Sequence, residues 1–282
     1  MARTMPIPIT FTLDLEDHRA DRSAPARYVH NTRTVLDWLG ERGMRGSVFV
    51  VGEVAANEPD LIRAIARDGH ELAYHSSQHR PLIVEHARRF RAETHDDCAR
   101  LADLGGCAIA GYRAPSFSLT ARTTWVVDEL AGLGFSYSSS ALPANNPLHG
   151  FAGLPRTPFR WPQGVLELPV PLAGFARWQL PYLGGIYLRY LPRRLTRLLH
   201  SRQDAAVCAW SYCHPYDFDA EEAYTRFHSA PAWMNLLLSY NRRATFSKLA
   251  NILAAGVAPP FAERVASGEF DAAPIFRPRE SG

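Results

Sequence analysis

The chain has almost no lysine: of 31 basic residues in 282, only Lys248 is not arginine. Against 28 acidic residues this leaves a formal net charge of +3. So small an excess, spread without a basic run, argues against nucleic acid as a partner, because phosphate binding needs clustered cations. Cysteine is scarce as well. Cys98, Cys107, Cys208 and Cys213 form no C-x-x-C pair, so neither a zinc knuckle nor a disulfide framework is expected, and the thiols read as reduced. The first residues, Met1-Ala2-Arg3-Thr4-Met5-Pro6, lack an apolar signal-peptide core. No stretch approaches the roughly 20 apolar residues of a membrane span. The expected location is therefore cytoplasmic. A hydrophobic content of 46% with 21% charged residues argues against disorder, and the length permits one large core.

Residues 8–17 alternate apolar and polar types with β-branched side chains and predict a strand, which ends in Asp14, Glu16 and Asp17. A helix over 28–42 stopped by Gly43 follows, then a strand over 45–51. Next comes a helix over 57–68, with Pro59 in its first turn and Gly69 past its end. A strand over 70–74, a helix over 85–104, a strand over 107–112, a helix over 123–133 and a strand over 135–139 continue the alternation. Residues 140–163 are rich in Pro, Gly and Asn without a period and predict a long ordered loop of the kind that covers a site. Strands over 165–170 and 205–212, a helix over 193–200 and a closing helix over 241–255 complete the pattern. Such alternation predicts parallel strands joined by right-handed crossovers. The length favours a barrel of one domain over residues 1–282, with a core of about 8–255 and a tail at 256–282.

His75-Ser76-Ser77-Gln78-His79 places two histidines four apart, on one face of a helical turn with Cβ atoms roughly 5–6 Å apart. Both imidazoles could then hold one metal ion. Among 11 histidines such a pair alone is a weak signal. Four polar clusters, however, follow expected strands: the acids at 14–17, the histidine pair, Arg113, and His214 in Cys213-His214-Pro215-Tyr216-Asp217. In a parallel barrel all strand C-terminal ends open on one face, where sites are built. Convergence of four clusters there makes a metal site the expected reading.

In this order, Thr12-Leu13-Asp14-Leu15-Glu16-Asp17, the His-Ser-x-x-His segment, Arg113-Ala114-Pro115-Ser116-Phe117, Leu166-Glu167-Leu168-Pro169-Val170 and His214-Pro215 resemble the motifs of the polysaccharide deacetylases. These are the NodB-homology enzymes of carbohydrate esterase family 4, and the nearest likeness is to the subgroup of exosortase-linked exopolysaccharide loci. The resemblance covers roughly residues 8–255. It implies an α/β fold, a distorted (β/α) barrel of seven or eight strands, and metal-dependent removal of an N-acyl group, usually acetyl from an N-acetylhexosamine. It also implies metal-binding His75 and His79, Asp14 as catalytic base, Arg113 orienting that base and His214 as general acid. Pro115 and Phe117 match groove-wall positions, and Tyr216 joins them as a substrate-contact candidate. The family commonly has two adjacent aspartates where this chain has Asp-Leu-Glu-Asp. Strand alternation puts Asp14 and Glu16 on one side, so Asp14 as base with Glu16 on the metal is preferred. Asp17 is the rival ligand, and a register with Glu16 as base and Asp17 as ligand stays open.

Two histidines and a carboxylate would leave open positions on an ion, most simply Zn2+, that acidifies bound water and polarises the amide carbonyl. Arg113 would hold Asp14 ionised while weakening it as a base. His214 would protonate the leaving amine and needs a carboxylate to stay charged near neutrality, with Glu167, Asp217 and Asp219 as candidates. The expected partner is a carbohydrate. Residues 178–194 join aromatics to arginines, a pattern shared by sugar-stacking walls, lipid-facing surfaces and core packing with arginine at the rim. A lipid-facing surface would place the protein peripherally at the inner membrane face, acting on a lipid-linked saccharide. The rival readings are a deformylase or cyclic-amide hydrolase on the same scaffold, and a carbohydrate-binding protein without catalysis.

Overall fold

The computed structural model describes residues 7–19, 23, 25–145, 149–175, 178–222 and 232–277. Its first strand, β1 (Ile9–Leu15), is buried on both faces. Ile9, Phe11, Leu13 and Leu15 pack into the main apolar cluster, while alternation turns Thr10, Thr12 and Asp14 to the opposite side. The threonines belong there because their hydroxyls are satisfied: Thr12 donates to the Ser211 carbonyl at 2.7 Å and Thr10 to that of Pro259 at 3.0 Å. Helix α1 (Arg27–Gly40) buries Tyr28, Asn31, Thr32, Val35, Leu36 and Leu39, the spacing of a single inward stripe. Then come β2 (Gly46–Val50), α2 (Gly52–Asn57), α3 (Pro59–Arg67), β3 (Glu71–Tyr74), α4 (Ala87–Gly105), β4 (Gly111–Tyr112), α5 (Trp125–Gly132) and β5 (Tyr137–Ser138). The second half runs β6 (Phe159–Arg160), β7 (Leu166–Glu167), β8 (Ala173–Phe175), β9 (Trp178–Leu180), α6 (Gly185–Tyr190), α7 (Arg193–His200) and β10 (Trp210–Cys213). It ends with α8 (Ala232–Ser239), α9 (Thr245–Leu253), β11 (Val257–Ala258) and α10 (Phe261–Ala266).

The main sheet has the order β10-β1-β2-β3-β4-β5-β7-β6, with β11 also on β1. Every pairing along it is parallel except β6 with β7. Among the described residues no ladder joins β7 to β10, and the indole of Trp210 spans that gap by donating to the Pro169 carbonyl at 3.0 Å. The α/β fold is thus a mixed sheet curled into a half-barrel. Its register matters for function. Leu15 lies opposite Val50, Val50 opposite Tyr74, and Tyr74 opposite Tyr112, while Leu13 lies opposite Cys213. The residues that follow (Asp14, Glu16, His75, Arg113 and His214) therefore leave the sheet at its C-terminal edge.

Inside the curl, Phe49, Tyr137, Trp210 and Phe261 meet edge to face, with ring centroids 5.6–6.5 Å apart. Gly111 makes room for this, since a Cβ there would sit 2.1 Å from the Tyr137 ring. Phe261 comes from the segment expected only as a tail. Residues 257–266 instead pair with β1 through β11 and plug the lower end of the curl, where the Phe261 amide donates to Ser47 Oγ at 2.9 Å.

Other local expectations also change. The strand expected over 107–112 shrinks to Gly111–Tyr112. The loop expected over 140–163 contains β6, which runs antiparallel to β7. In the aromatic stretch 178–194, Tyr182, Leu183 and Leu188 are buried and Arg189 is wholly enclosed, so these residues serve the interior. The histidine pair is not helical. Ser76 and His79 adopt φ of 65° and 54°, and the chain turns between them as a loop.

Candidate active site

That loop still brings the two imidazoles together, with centroids 5.0 Å apart. His75 is buried, and its Nδ1 lies 2.8 Å from the Arg113 carbonyl. A carbonyl can only accept, so Nδ1 carries the hydrogen and the Nε2 lone pair is left free for a ligand. Burial, opposed by Asp14, lowers the His75 pKa to about 4, which keeps that lone pair available at neutral pH. His79 retains 34% side-chain exposure, and its Nε2 lies 2.6 Å from Glu16 Oε2. One ligand atom each from Glu16, His75 and His79 falls within 4.8 Å of the others. Burial works against the Glu16 carboxylate, but the charges of His79, His214 and His75 prevail and hold its pKa well below the usual range. Two nitrogens and one anionic oxygen, with a fixed tautomer behind them, fit a divalent cation of the zinc type with open positions. Asp17 is occupied elsewhere: its carboxylate takes both the backbone N–H and the guanidinium of Arg19 at 2.7–3.0 Å.

Asp14 stands beside this trio. One oxygen lies 3.9 Å from His75 Nε2 and the other accepts a hydrogen bond from Arg113. Arg113 is fully buried. It donates to Thr12 Oγ at 2.8 Å, to Ser139 Oγ at 3.0 Å and to the Ser139 carbonyl at 3.2 Å. Its guanidinium rests 3.8 Å from the Phe49 ring centroid and 4.4 Å from that of Trp210. The aromatic floor thus carries the arginine, and the arginine carries the aspartate. Thr12 and Ser139 escaped the sequence reading because hydroxyl residues in strands are too common to signal a role. In the Arg113–Phe117 loop, Ser116 and Phe117 both take positive φ. With Ser76 and His79, four of the five such non-glycine residues described lie on the two site loops, where backbone strain tends to concentrate. Pro115 is buried, and the Phe117 ring lies edge-on to Tyr212 at 5.2 Å.

His214 takes its partner from its own turn. Its Nδ1 lies 2.9 Å from Asp217 Oδ2, and its backbone N–H donates to the same oxygen at 2.8 Å. The i to i+3 contact caps the helical turn that starts at Pro215, a geometry that the folded turn supplies. Glu167 instead accepts from the Ser140 and Ala141 amides and Trp161, and Asp219 from Arg27 and Asn31. Burial alone would lower the His214 pKa. The hydrogen bond and charge of Asp217, with Glu16 and Asp14 beyond, overcome it and raise the pKa to about 9. Tyr216 lies flat against the imidazole, 4.7 Å away with 9° between planes. Behind Asp217 stands the enclosed Arg189, its Nε 3.1 Å from Asp217 Oδ1 and its Nη1 held by the Leu238 and Tyr240 carbonyls. In so arginine-rich a chain nothing in the sequence marked Arg189.

Residues 16–135, the segment that supplies Glu16, His75, His79 and Arg113, match the polysaccharide deacetylase family model. This segment of the chain is similar to the polysaccharide deacetylases. Residues 139–258 match a domain of unknown function, DUF3473, and it is this segment that supplies Arg189, His214 and Asp217. One sheet serves both, since β1 pairs directly with β10. A chitooligosaccharide deacetylase from Bradyrhizobium sp. (strain ANU 289) is 39% identical over 66 residues, 23% of this chain. The match spans 28% of that relative's length. A candidate polysaccharide deacetylase from Mycobacterium smegmatis has a similar structure, with TM-score 0.68 and 18% identity, over 100% of this chain and 97% of the other. An allantoinase is similar at TM-score 0.60 and 16% identity, over 94% and 90%. At such identities the two structures speak for the fold alone.

Proposed function

We propose that this protein is a divalent-cation-dependent deacetylase that removes the N-acetyl group from an amino sugar, in a polysaccharide or its lipid-linked precursor. The observation that carries the reading is the gathering of Glu16, His75 and His79 beside two differently supported proton carriers, Asp14 and His214. Glu16, His75 and His79 would hold the cation, most simply Zn2+, which when bound supplies Lewis acidity and brings the pKa of water toward about 7. Asp14, balanced by the Arg113 guanidinium, accepts the proton of the attacking water as general base. His214 is protonated at neutral pH, and with Nδ1–H committed to Asp217 it has only Nε2–H to give. That proton goes to the amide nitrogen as the C–N bond breaks, so the sugar leaves as an amine. Tyr216 holds the imidazole plane for this transfer, and Pro115 and Phe117 wall the groove in which the sugar lies.

The test is acetate release from N-acetylglucosamine oligomers, with and without chelator. Turnover that chelation abolishes and Zn2+ restores, together with loss of bound metal in the His75→Ala, His79→Ala double variant, is the expected result. Formate release or ring opening without acetate release would move the reaction to the deformylase or cyclic-amide class. A protein that binds oligomers equally well with His214→Ala and turns over none in either form would be a binding module.

A further inference from the structure

We infer that the face built by the end of α6 together with α7 and α8 docks the protein on an anionic membrane surface. Of the nine large apolar side chains that stand exposed among the described residues, six lie here: Tyr190 (40%), Leu195 (39%), Leu198 (44%), Trp233 (62%), Leu236 (50%) and Tyr240 (60%). Leu195 and Leu198 sit one turn apart on the outer side of α7, whose opposite side buries Thr196, Leu199 and His200. Trp233 and Leu236 follow the same spacing along α8, and Tyr240 comes four residues on, just past its end. The two parts are tied together, because the Tyr190 hydroxyl donates to the Leu237 carbonyl at 3.1 Å and Arg189 donates to those of Leu238 and Tyr240.

Charge decides what such a face meets. No Asp or Glu occurs from residue 168 to 203 or from 223 to 262. The exposed arginines Arg194, Arg197 and Arg243 have no carboxylate partner among the described residues. Helices that lie with leucine and aromatic side chains interleaved with unpaired arginine match an interface of acyl chains beneath anionic headgroups. A second copy of the chain would set these arginines against one another and is disfavoured by the same charges. The inference does not depend on the deacetylase reading, since docking is measured without substrate. Its place in the molecule is suggestive nonetheless: the carbonyls at the end of α8 hold Arg189, which backs the Asp217–His214 pair.

The test is co-sedimentation of the full chain with vesicles of phosphatidylcholine alone or with about one-third phosphatidylglycerol. The expected result is binding to the anionic vesicles that pure phosphatidylcholine does not support and high salt reverses. The pair Leu195→Asp, Leu198→Asp and the pair Arg194→Glu, Arg197→Glu should each lower the bound fraction at least about tenfold with unchanged circular dichroism. These side chains are exposed, so the variants should fold. Wild-type protein that prefers anionic vesicles no more than neutral ones would overturn the inference. So would a dimer in solution that the leucine variants dissolve, because the face would then belong to a second copy.

Discussion

Replacing Asp217 with Asn keeps the shape of the side chain and removes its charge. In the intact site that charge and its hydrogen bond outweigh burial and lift the His214 pKa from 6.5 to about 9. At 1.36 kcal/mol per unit, a rise of this size corresponds to roughly 3 kcal/mol favouring the imidazolium. At pH 8 a group with pKa near 9 is about 90% protonated, whereas one at 6.5 is about 3% protonated. The protonated acid, and with it kcat/KM at pH 8, should therefore fall about thirtyfold or more. The loss is deeper if the Arg189 guanidinium, now without its anion, repels the imidazolium. Toward about pH 5.5 the two proteins should converge in the part of the rate set by His214. Stability follows the same sign. A histidine whose pKa is raised by folding stabilises fully below its unfolded value of 6.5 and loses that contribution as pH climbs through 9. The melting-temperature gap between wild type and variant should accordingly narrow above pH 9, down to the share owed to Arg189. The assay is the pH dependence of kcat/KM for acetate release. An alkaline limb with the same midpoint in both proteins would refute the pairing of His214 with Asp217 as the source of its acidity.

Glu16→Gln should lower bound-metal content at least about tenfold at micromolar protein, while Asp17→Asn, whose partner is Arg19, should keep it; the reverse pattern in elemental analysis would reassign the ligand. Arg113→Met leaves Asp14 buried without its cation, which should cost about 3–5 kcal/mol of stability as well as activity, and a denaturation midpoint equal to wild type would contradict that ion pair. Phe261→Ala opens a cavity beneath the aromatic floor and should cost about 3–5 kcal/mol. A neutral effect in urea titration would mean that residues beyond 255 are dispensable after all.

The alternation of strands and helices was legible because β1 and β2 are fully buried runs, and β3 nearly so, with glycine and proline punctuation between elements, which is a local signal. What lay outside local signals was lost. The lower plug depends on Phe261 meeting Phe49, Tyr137 and Trp210 from three distant strands, and an isolated phenylalanine near the C-terminus carries no mark of that. β4 is short because its neighbours pair with only two of its residues, although the apolar run expected there was longer. The histidine spacing was read as a helical turn and is a left-handed loop. Either conformation can bring residues i and i+4 together, so the proximity survives although its proposed cause does not. His214 was found through its neighbours in sequence, but its choice among three carboxylates needed the turn geometry that only the folded chain supplies.

Two fully enclosed arginines, Arg113 and Arg189, explain why the site draws on both matched segments. Arg113 gives the Asp14 carboxylate its counter-charge directly, from the floor of the curl. Arg189 does not touch His214. It lies against the far oxygen of Asp217, whose near oxygen holds the imidazolium, and so a cation supports a neighbouring cation through the anion between them. Burial pushes the Asp217 carboxyl pKa up, but Arg189 and His214 together hold it below its ordinary value, so the anion persists even where water is excluded. A base needs its negative charge and an acid its proton at the same pH. Identical side chains support the Asp14 carboxylate and the His214 imidazolium here, one arginine directly and the other through an intervening carboxylate. Separating the second segment from the first would remove β10 and Arg189 together. It would leave Glu16, His75 and His79 without the His214–Asp217 pair that faces them in the intact sheet.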